Sequence, residues 1–363
     1  MIKFFKQDLN KSIFIKALDN FKNDLWVNGK IINKFENNLK KTLKIQQKVS
    51  TCNSGSDALL LTLLLDKNSK KDIYITTPIS YLASSSIPRF LGLNLIYIDV
   101  EKDGYIMCLK ELEKFLNKCP IQIQKRLKGI INVELFGATC DLIKLKKIAY
   151  KNNLTLIGDC AQSLGAKYKN KPDGSFGDAA VFSFARNKPI ATAGTHGALV
   201  WDDDSLTTII HAVSNNGKLG RDSKIQAYGI NAVPMELQAA QIDIGLDHMG
   251  EWQVKRKSIH QYYVEQFKNL PLEIIHANDY CESNYHKFAL KTNQRNELYK
   301  HCQKNNIQAL LHYTDNFSDY FGSTKVFPNT DAFCETVITL PNHSWMTDAE
   351  IETVANTVKE FYI

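Results

Sequence analysis

Short apolar runs alternate with helical stretches through the middle of the chain, and this alternation limits the possible folds more than any other feature. Apolar runs with the length of strands lie at residues 73–77, 95–100, 129–133, 154–159, 179–184 and 198–201. Residues 58–65 and 142–150 have the apolar pattern of helices. Strands that alternate with helices predict an α/β fold in which helices cover the faces of a central sheet.

The pattern changes in the last third of the chain. Residues 234–258 have the character of one long helix, and the predicted elements beyond residue 271 are shorter. They are a strand at 288–292, a helix at 296–304, a strand at 307–312 and a terminal helix at 348–361. A length of 363 residues suits two domains. We expect a large domain at 1–245, which begins with a helical segment, and a smaller α+β domain at 246–363.

The composition excludes several classes of protein. Hydrophobic residues make up 44% and charged residues 23% of the chain, as in a soluble globular protein. The apolar runs are far shorter than the ~20 residues of a membrane helix, and the charged N-terminus does not resemble a signal peptide. The eight cysteines form no CxxC pair and no zinc-ligand spacing. We therefore expect a cytoplasmic protein with free thiols and no metal site.

The net charge of +7 is spread along the chain. It includes no run of five or more basic residues, and we therefore do not expect a nucleic-acid partner. Attraction to an anionic small molecule, such as a phosphate or a nucleotide, is the alternative that fits this distribution.

A glycine turn that leads into an apolar helix is the first candidate site. The sequence SGSD at residues 54–57 directly precedes the helical run at 58–65. Such a turn presents free backbone N–H groups and the positive end of the helix dipole, to which Ser56 adds a hydroxyl, so that it can hold a phosphate. A simple N-cap explains the same residues, and the sequence alone leaves both interpretations open.

Three further residues occupy positions where chemistry is common in α/β proteins. Asp159 ends an apolar strand, the edge at which such sheets bind ligands, and a protonated pyridine nitrogen would suit a buried carboxylate there. Lys188 follows another strand and precedes a glycine-containing loop, where burial would lower its pKa and make it nucleophilic. Asn231 precedes the long helix. Taken singly, two caps and a solvated lysine explain these residues equally well.

The order of these features resembles the DegT/DnrJ/EryC1/StrS group of sugar aminotransferases, which are pyridoxal-phosphate enzymes of fold type I. NSGSDAL at 53–59 is similar to the SNGTDAL box of that family, and PISYLAS at 78–84 is similar to its PxTFxAT box. Further matching segments are LFG at 135–137, GDCAQSLGAKY at 158–168, GSFGD at 174–178, FSF at 182–184, GTHGA at 194–198, GINAVPMELQAA at 229–240, LP at 340–341 and TDAEI at 347–351. The resemblance covers nearly the whole chain.

This resemblance implies a cofactor, pyridoxal 5'-phosphate, which becomes pyridoxamine 5'-phosphate during turnover. Lys188 would bind it covalently and shuttle protons as base and then acid. Asp159 would pair with the pyridinium nitrogen, Gln162 would bond the phenolic oxygen, and Tyr81 would stack on the ring. The resemblance also implies a large domain with a mostly parallel central sheet and a smaller C-terminal domain.

The resemblance assigns the phosphate of the cofactor to a second group of residues. Gly55, Ser56 and Ser183 would hold it from within one subunit. The family asparagine that matches Asn231 reaches the phosphate in the neighbouring subunit, which implies a homodimer with shared active sites.

The chain departs from the family pattern near the lysine. Thr195 and His196 stand where the family has an acidic residue and a glycine, and His196 is either a substrate ligand or a packed loop residue, of which we favour the second. Val233 and Pro234 replace an arginine–methionine pair. The remaining candidates for substrate contact are Arg186, Lys218, Arg221, His312 and Tyr313, although solvated surface residues explain the first three as well.

The sequence as a whole predicts a pyridoxal-phosphate-dependent aminotransferase. We expect L-glutamate to donate the amino group to a nucleotide-linked keto-6-deoxy sugar, at sugar carbon 3 or 4, for the synthesis of a surface polysaccharide or other glycan such as O-antigen. One alternative is an aminotransferase that acts on a small keto-phosphate. The other is a non-catalytic binding or regulatory protein with the same fold, against which the set of Lys188, Asp159 and Gln162 argues.

Overall fold

A seven-stranded sheet forms the centre of the first two thirds of the chain. The computed structural model describes residues 1–5, 11–21, 29–66, 71–203, 206–220, 222–320 and 325–363. In all three sheets of the described residues together, the strands are β1 (Lys48–Cys52), β2 (Ile73–Thr76), β3 (Asn94–Tyr97), β4 (Leu127–Val133), β5 (Thr155–Asp159), β6 (Lys167–Tyr168), β7 (Lys171–Pro172), β8 (Ala179–Ser183), β9 (Gly197–Trp201), β10 (Glu273–Ile274), β11 (Cys281–Glu282), β12 (Phe288–Lys291) and β13 (Val337–Leu340).

The order of strands in the large sheet is β1-β9-β8-β5-β4-β2-β3. The neighbours from β3 to β8 pair in parallel, whereas β9 pairs antiparallel with both β8 and β1. Asp159 at the end of β5 is in register with Val133 of β4 and Val181 of β8. The carboxyl ends of these three central strands therefore lie side by side, which confirms the predicted α/β fold with a mostly parallel sheet.

Helices flank the sheet and cover the smaller domain. They are α1 (Lys11–Phe21), α2 (Lys30–Leu43), α3 (Gly55–Leu65), α4 (Ala83–Phe90), α5 (Leu109–Lys118), α6 (Ile121–Gln124), α7 (Leu142–Lys151), α8 (Thr207–Ser214), α9 (Glu236–Phe267), α10 (Arg295–Lys304), α11 (Phe317–Tyr320), α12 (Pro328–Thr336) and α13 (Asp348–Tyr362), with a short 3-10 turn at Leu135–Gly137.

Helices on opposite faces of the sheet bury different patterns of residues. In α2 the buried residues Ile32, Phe35, Leu39 and Leu43 recur at helical spacing and pack towards β8 and α9. Helix α3 is apolar on nearly all sides, and its leucines pack against β8 and β9. Because both faces are covered, the central strands are apolar runs rather than alternating ones, and all seven residues of β4 are buried.

The C-terminal part of the chain forms a separate core around a three-stranded antiparallel sheet of order β10-β12-β13. The end of α9 and helices α10 and α13 pack on it, with Tyr263, Phe288, Leu298 and Val354 among the buried residues. Helix α9 runs without a break through the predicted boundary at 245/246. Ile2 also forms a bridge with Ile307, so that the first residues contact the C-terminal part.

Two predicted details of the secondary structure are wrong. The predicted strand at 307–312 is only a pair of isolated bridges, one of them between Leu310 and Thr339. The second detail is strand β1, since no strand was predicted at residues 48–52. In the described part of the chain, no helix is both long and apolar enough to cross a bilayer.

Candidate functional site

The carboxyl ends of β4, β5 and β8 open into a pocket of about 450 Å³. Parallel α/β sheets bind their ligands at this edge. The wall includes many of the residues that the sequence singled out, together with residues from the C-terminal part: Ser54, Gly55, Ser56, Tyr81, Ser84, Glu134, Asp159, Gln162, Ser183, Arg186, Lys188, Thr195, His286, Lys287 and Tyr313.

The amino end of α3 forms one end of the pocket. Ser54 caps the helix, since its hydroxyl accepts a hydrogen bond of 3.0 Å from the backbone N–H of Asp57. A Cβ atom added to Gly55 would lie 2.6 Å from Cβ of Ser183, so only glycine allows the helix to approach the end of β8 this closely. Free N–H groups, the helix dipole and two serine hydroxyls, from Ser56 and Ser183, make this end suitable for a phosphate.

Asp159 lies on the floor of the pocket at the end of β5. Its side chain is buried, and Ser84 in α4 donates a hydrogen bond of 2.6 Å to Oδ2. The backbone N–H of Ala161 donates a bond of 3.2 Å to Oδ1. In the described residues no lysine or arginine forms an ion pair with this carboxylate. Asp159 can therefore accept a hydrogen bond from a cationic ligand group.

Lys188 lies in the same pocket and is also buried. Its ammonium has no hydrogen bond or ion pair with the described residues, and it lies 5.8 Å from the centroid of the Tyr81 ring. Burial lowers the pKa of Lys188 to about 8, although the negative charge of Asp159 opposes the shift. A substantial neutral fraction at mildly alkaline pH makes this amine a nucleophile and a proton carrier.

Gln162 connects the pocket to the C-terminal part of the chain. Its Oε1 accepts a hydrogen bond of 3.2 Å from the backbone N–H of Phe136, and its Nε2 donates one of 3.1 Å to Oη of Tyr313. The amide of Asn284 donates to the backbone carbonyls of Gln162 and Leu164. These bonds position the Tyr313 ring over the floor of the pocket.

The arrangement fits pyridoxal phosphate. The cradle at Gly55 matches a phosphate, and the carboxylate of Asp159 matches a protonated ring nitrogen. The amine of Lys188, which is unpaired among the described residues, matches the aldehyde carbon. The Tyr81 side chain is 58% exposed and leaves a ring face free for stacking. Ser56, Gln162 and Ser183 complete the set that the resemblance implied.

The remaining candidates occupy different places. Arg186 is exposed at the rim of the pocket, and Tyr313 is part of its wall. His312 is behind Tyr313, where its Nδ1 lies 2.7 Å from Oγ1 of Thr339. Lys218 and Asn231 do not line the pocket of their own chain, and Asn231 is exposed. Arg221 lies outside the described residues.

His196 does not reach the pocket. Its side chain is wholly buried, and its ring meets Phe35 and Phe184 edge to face at centroid distances of 5.6 and 6.2 Å. Burial lowers its pKa to about 3, so the imidazole is neutral at physiological pH. Of the two interpretations of His196, the structure therefore supports the packed residue, which we favoured, and argues against the substrate ligand.

The sequence interpretation missed several residues of the wall. Ser84 ends a segment that carried the resemblance, yet it had no role assigned to it. Lys287 directly precedes the apolar run of β12, and a lysine beside a buried strand is the signal that could have identified it. His286 and Glu134 flank apolar segments in the same way.

A cluster of acidic and thiol groups lies beside the floor of the pocket. One ligand-type atom from each of Glu134, Cys160 and Asp173 lies within 4.8 Å of the others, and all three residues are buried. Burial raises the pKa of both carboxyl groups, and the charge of Asp173 raises that of Glu134 further. A proton shared between the two carboxyl groups explains how Glu134 and Asp173 can be buried side by side.

The model of the DegT/DnrJ/EryC1/StrS aminotransferase family matches residues 7–359. A dTDP-3-amino-3,6-dideoxy-alpha-D-galactopyranose transaminase from Aneurinibacillus thermoaerophilus is 28% identical over 314 residues, which are 85% of this chain and 84% of the relative. A UDP-4-amino-4,6-dideoxy-N-acetyl-beta-L-altrosamine transaminase from Campylobacter jejuni is 28% identical over 99% of this chain and 96% of its own length.

Solved structures share the fold. The aminotransferase PseC from Helicobacter pylori, which is involved in the biosynthesis of pseudoaminic acid, superposes with a TM-score of 0.89. The match covers 99% of this chain and 98% of that chain at 24% identity. This level of likeness establishes the fold that the resemblance implied.

Proposed function

Because this chain belongs to the DegT/DnrJ/EryC1/StrS aminotransferase family, we propose that it transfers an amino group from L-glutamate to a nucleotide-linked keto-6-deoxy sugar. The observation that carries the proposal is the buried amine of Lys188, which forms no hydrogen bond or ion pair with the described residues and shares one pocket with Asp159 and the amino end of α3. The named activities of its relatives on dTDP- and UDP-linked sugars support the substrate class. The sugar carbon would be 3 or 4, and the product would serve glycan synthesis.

The residues of the pocket have separate roles in this reaction. Bound pyridoxal phosphate supplies an electron sink that stabilises negative charge at the carbon next to the amino group. Asp159, held by Ser84, keeps a proton at the ring nitrogen. Since the pKa of Lys188 is about 8, Nζ can take up a proton from the donor carbon and deliver it again within the same pocket. Gln162 holds the phenolic oxygen in position.

The rim of the pocket suits an anionic acceptor. The exposed guanidinium of Arg186 can contact a diphosphate where solvent still has access. A sugar that enters from this side would present its keto group to Lys188, and its nucleotide would remain near the rim.

We also infer a homodimer with shared active sites. Tyr228 is fully exposed and Ile225 is 73% exposed in the segment that precedes Asn231. An exposed apolar segment of this kind is typical of an interface. A second copy of the chain would cover it and would receive Asn231 near its phosphate site.

The test is the transfer of labelled nitrogen. Purified protein with pyridoxal phosphate is incubated with L-[15N]glutamate and a panel of dTDP-, UDP- and GDP-linked 3-keto and 4-keto 6-deoxy sugars, and products are analysed by mass spectrometry. We expect 15N in one amino sugar, together with release of 2-oxoglutarate. Lys188→Ala serves as the control for background. If small keto-phosphates are aminated instead and none of the nucleotide-linked sugars becomes labelled, the proposed substrate class is contradicted.

A further inference from the structure

Lys287 is a second buried lysine in the wall of the pocket. Its side chain is only 7% exposed, and it directly precedes β12. Within the described residues its ammonium has no hydrogen bond and no carboxylate within 4 Å. Its surroundings are aromatic: the centroids of Tyr313, Phe136 and Phe4 lie 5.5, 5.7 and 5.8 Å away. Among the residues that the structure describes, no partner balances the charge of this lysine.

Lys287 lines the cofactor pocket. Lys287 also borders a second cavity, which is lined by Tyr105, His260 and Tyr285. The nearest aromatic ring, however, is that of Tyr313, which lines the first pocket. The charge of Lys188 also acts on Lys287, so the two amines are neighbours across that pocket.

Burial without a counter-charge is unfavourable for an ammonium, and the aromatic faces offset only part of this cost. Burial, and then the charge of Lys188, lower the pKa of Lys287 well below its usual range. An anion that entered the pocket would instead favour the charged form of Lys287, because it would supply a counter-charge in a low-dielectric site. The side chain is therefore suited to bind a small anionic group.

The position of Lys287 in the pocket indicates which anionic group it binds. The phosphate end of the pocket lies at Gly55 and Ser183, whereas Lys287 lies against Tyr313, to which Gln162 is hydrogen-bonded. A nucleotide diphosphate is bulky and strongly hydrated, and the exposed rim at Arg186 suits it better than a closed aromatic site. A carboxylate of an amino acid is small enough to enter beside Tyr313.

We propose that the ammonium of Lys287 binds a carboxylate of the amino-acid donor and thereby holds the amino group of the donor towards Lys188. This rests on the proposed function, since it assigns a donor site to the same pocket. Lys287 then determines the affinity for the donor and leaves the affinity for the sugar unchanged.

The test compares Lys287→Met, which removes the charge, with Lys287→Arg, which keeps it. Each protein, loaded with pyridoxal phosphate, is mixed with increasing L-glutamate, and the concentration at which the rate of loss of the visible absorption band is half-maximal gives an apparent dissociation constant. We expect this constant to rise about 10- to 100-fold for Lys287→Met, the usual effect of losing a hydrogen bond to a charged group, and to recover partly for Lys287→Arg. Binding of glutarate, an unreactive dicarboxylate, is measured by calorimetry and should weaken in parallel.

Two controls separate this proposal from the proposed function. The pyridoxamine form of Lys287→Met should bind the sugar acceptor as wild type does, which excludes a general loss of structure. If wild type itself shows no change with L-glutamate, the donor of the proposed function is wrong. If wild type responds and Lys287→Met binds L-glutamate and glutarate with unchanged constants, the assignment of Lys287 is overturned and the proposed function stands.

A measurement on the wild type covers the case in which Lys287→Met does not fold. Glutarate binding is followed by calorimetry in two buffers of different ionisation enthalpy, which reports the protons taken up. The absorption band reports the protons taken up by the cofactor. A bound carboxylate raises the pKa of Lys287, so we expect uptake beyond that amount at some pH in a series from mildly acidic to alkaline. Equality of the two values at every pH would overturn the assignment.

Discussion

Gly55 at the amino end of α3 and Ser183 at the end of β8 lie so close together that a Cβ atom on Gly55 would be 2.6 Å from Cβ of Ser183. This approach brings the free N–H groups of the helix and the hydroxyl of the strand into one cradle. A methyl group at position 55 would have to push the helix away from the strand.

Gly55→Ala should therefore weaken the binding of pyridoxal phosphate. We expect the dissociation constant to rise about 10- to 100-fold, which corresponds to the usual 1–3 kcal/mol of overpacking. Equilibrium dialysis with the apoprotein measures it. Gly250→Ala in the middle of α9 is the matched control, because an added Cβ there meets nothing within 4 Å. The control should keep normal affinity, and equal affinities for both variants would refute the cradle.

The buried amine of Lys188 should make the apoprotein less stable at neutral pH. A pKa of about 8 in the folded chain, against 10.5 for an unperturbed lysine, means that the unfolded chain binds more protons between these values. The stability of the wild type should therefore rise as pH increases from 8 to 10.5. The apoprotein of Lys188→Met should be more stable at pH 7 by up to roughly 3 kcal/mol, and this advantage should disappear above pH 10.5.

Urea denaturation of the two apoproteins across this pH range gives the comparison. Lys110→Met, at an exposed position in α5, controls for the loss of a lysine as such and should unfold as the wild type does. A constant difference between Lys188→Met and wild type at every pH would show that Lys188 is not held in a desolvated site.

His196 should affect stability rather than substrate binding, because its ring is enclosed by Phe35 and Phe184. We expect His196→Leu to leave the KM values for donor and acceptor unchanged. The pKa is lowered from 6.5 to about 3, so the unfolded chain binds more protons in this range and the wild type loses stability as pH falls from 6.5. His196→Leu should show a smaller acid-induced loss in urea denaturation. A raised KM would instead return His196 to the list of substrate ligands.

Subunit mixing tests whether active sites are shared. Asn231 is exposed and outside the pocket of its own chain, so Lys188→Ala and Asn231→Ala should damage sites in different subunits. In a hybrid dimer one site carries both changes and the other carries neither. We expect the mixed, renatured proteins to regain activity that neither variant has alone, together with a dimeric mass in sedimentation. Activity equal to the average of the two parents would mean that each subunit uses its own Asn231.

The sequence predicted the parallel part of the sheet well because both of its faces are covered. Strands β4, β5 and β8 must then be apolar runs, and their carboxyl ends place Asp159 and Ser183 together. Strand β1 escaped prediction because it buries Ser50 and Thr51, and Glu36 satisfies Thr51 through bonds to its N–H and its hydroxyl. Because the partner of Thr51 lies in helix α2, the residues of β1 themselves show no apolar pattern that would predict a strand.

The site was predictable only in part, for a similar reason. Lys188, Asp159 and Gly55 occur in segments whose order resembles a family, and the structure brings them together. The burial of His196 and the approach of Lys287 to Lys188 depend on tertiary packing. An apolar run such as 307–312 likewise pairs only where the fold offers a free strand edge, and there it forms isolated bridges.

The central claim is that the pocket around Lys188 uses pyridoxal phosphate to accept an amino group, and one absorption experiment tests it most directly. The protein is reconstituted with pyridoxal phosphate, freed of excess cofactor, and scanned before and after addition of L-glutamate, with D-glutamate and Lys188→Ala as controls. We expect a visible band that L-glutamate removes and D-glutamate leaves in place, and that Lys188→Ala does not show in the same form. A protein that retains no band after reconstitution, or a band of identical behaviour in Lys188→Ala, would contradict the claim.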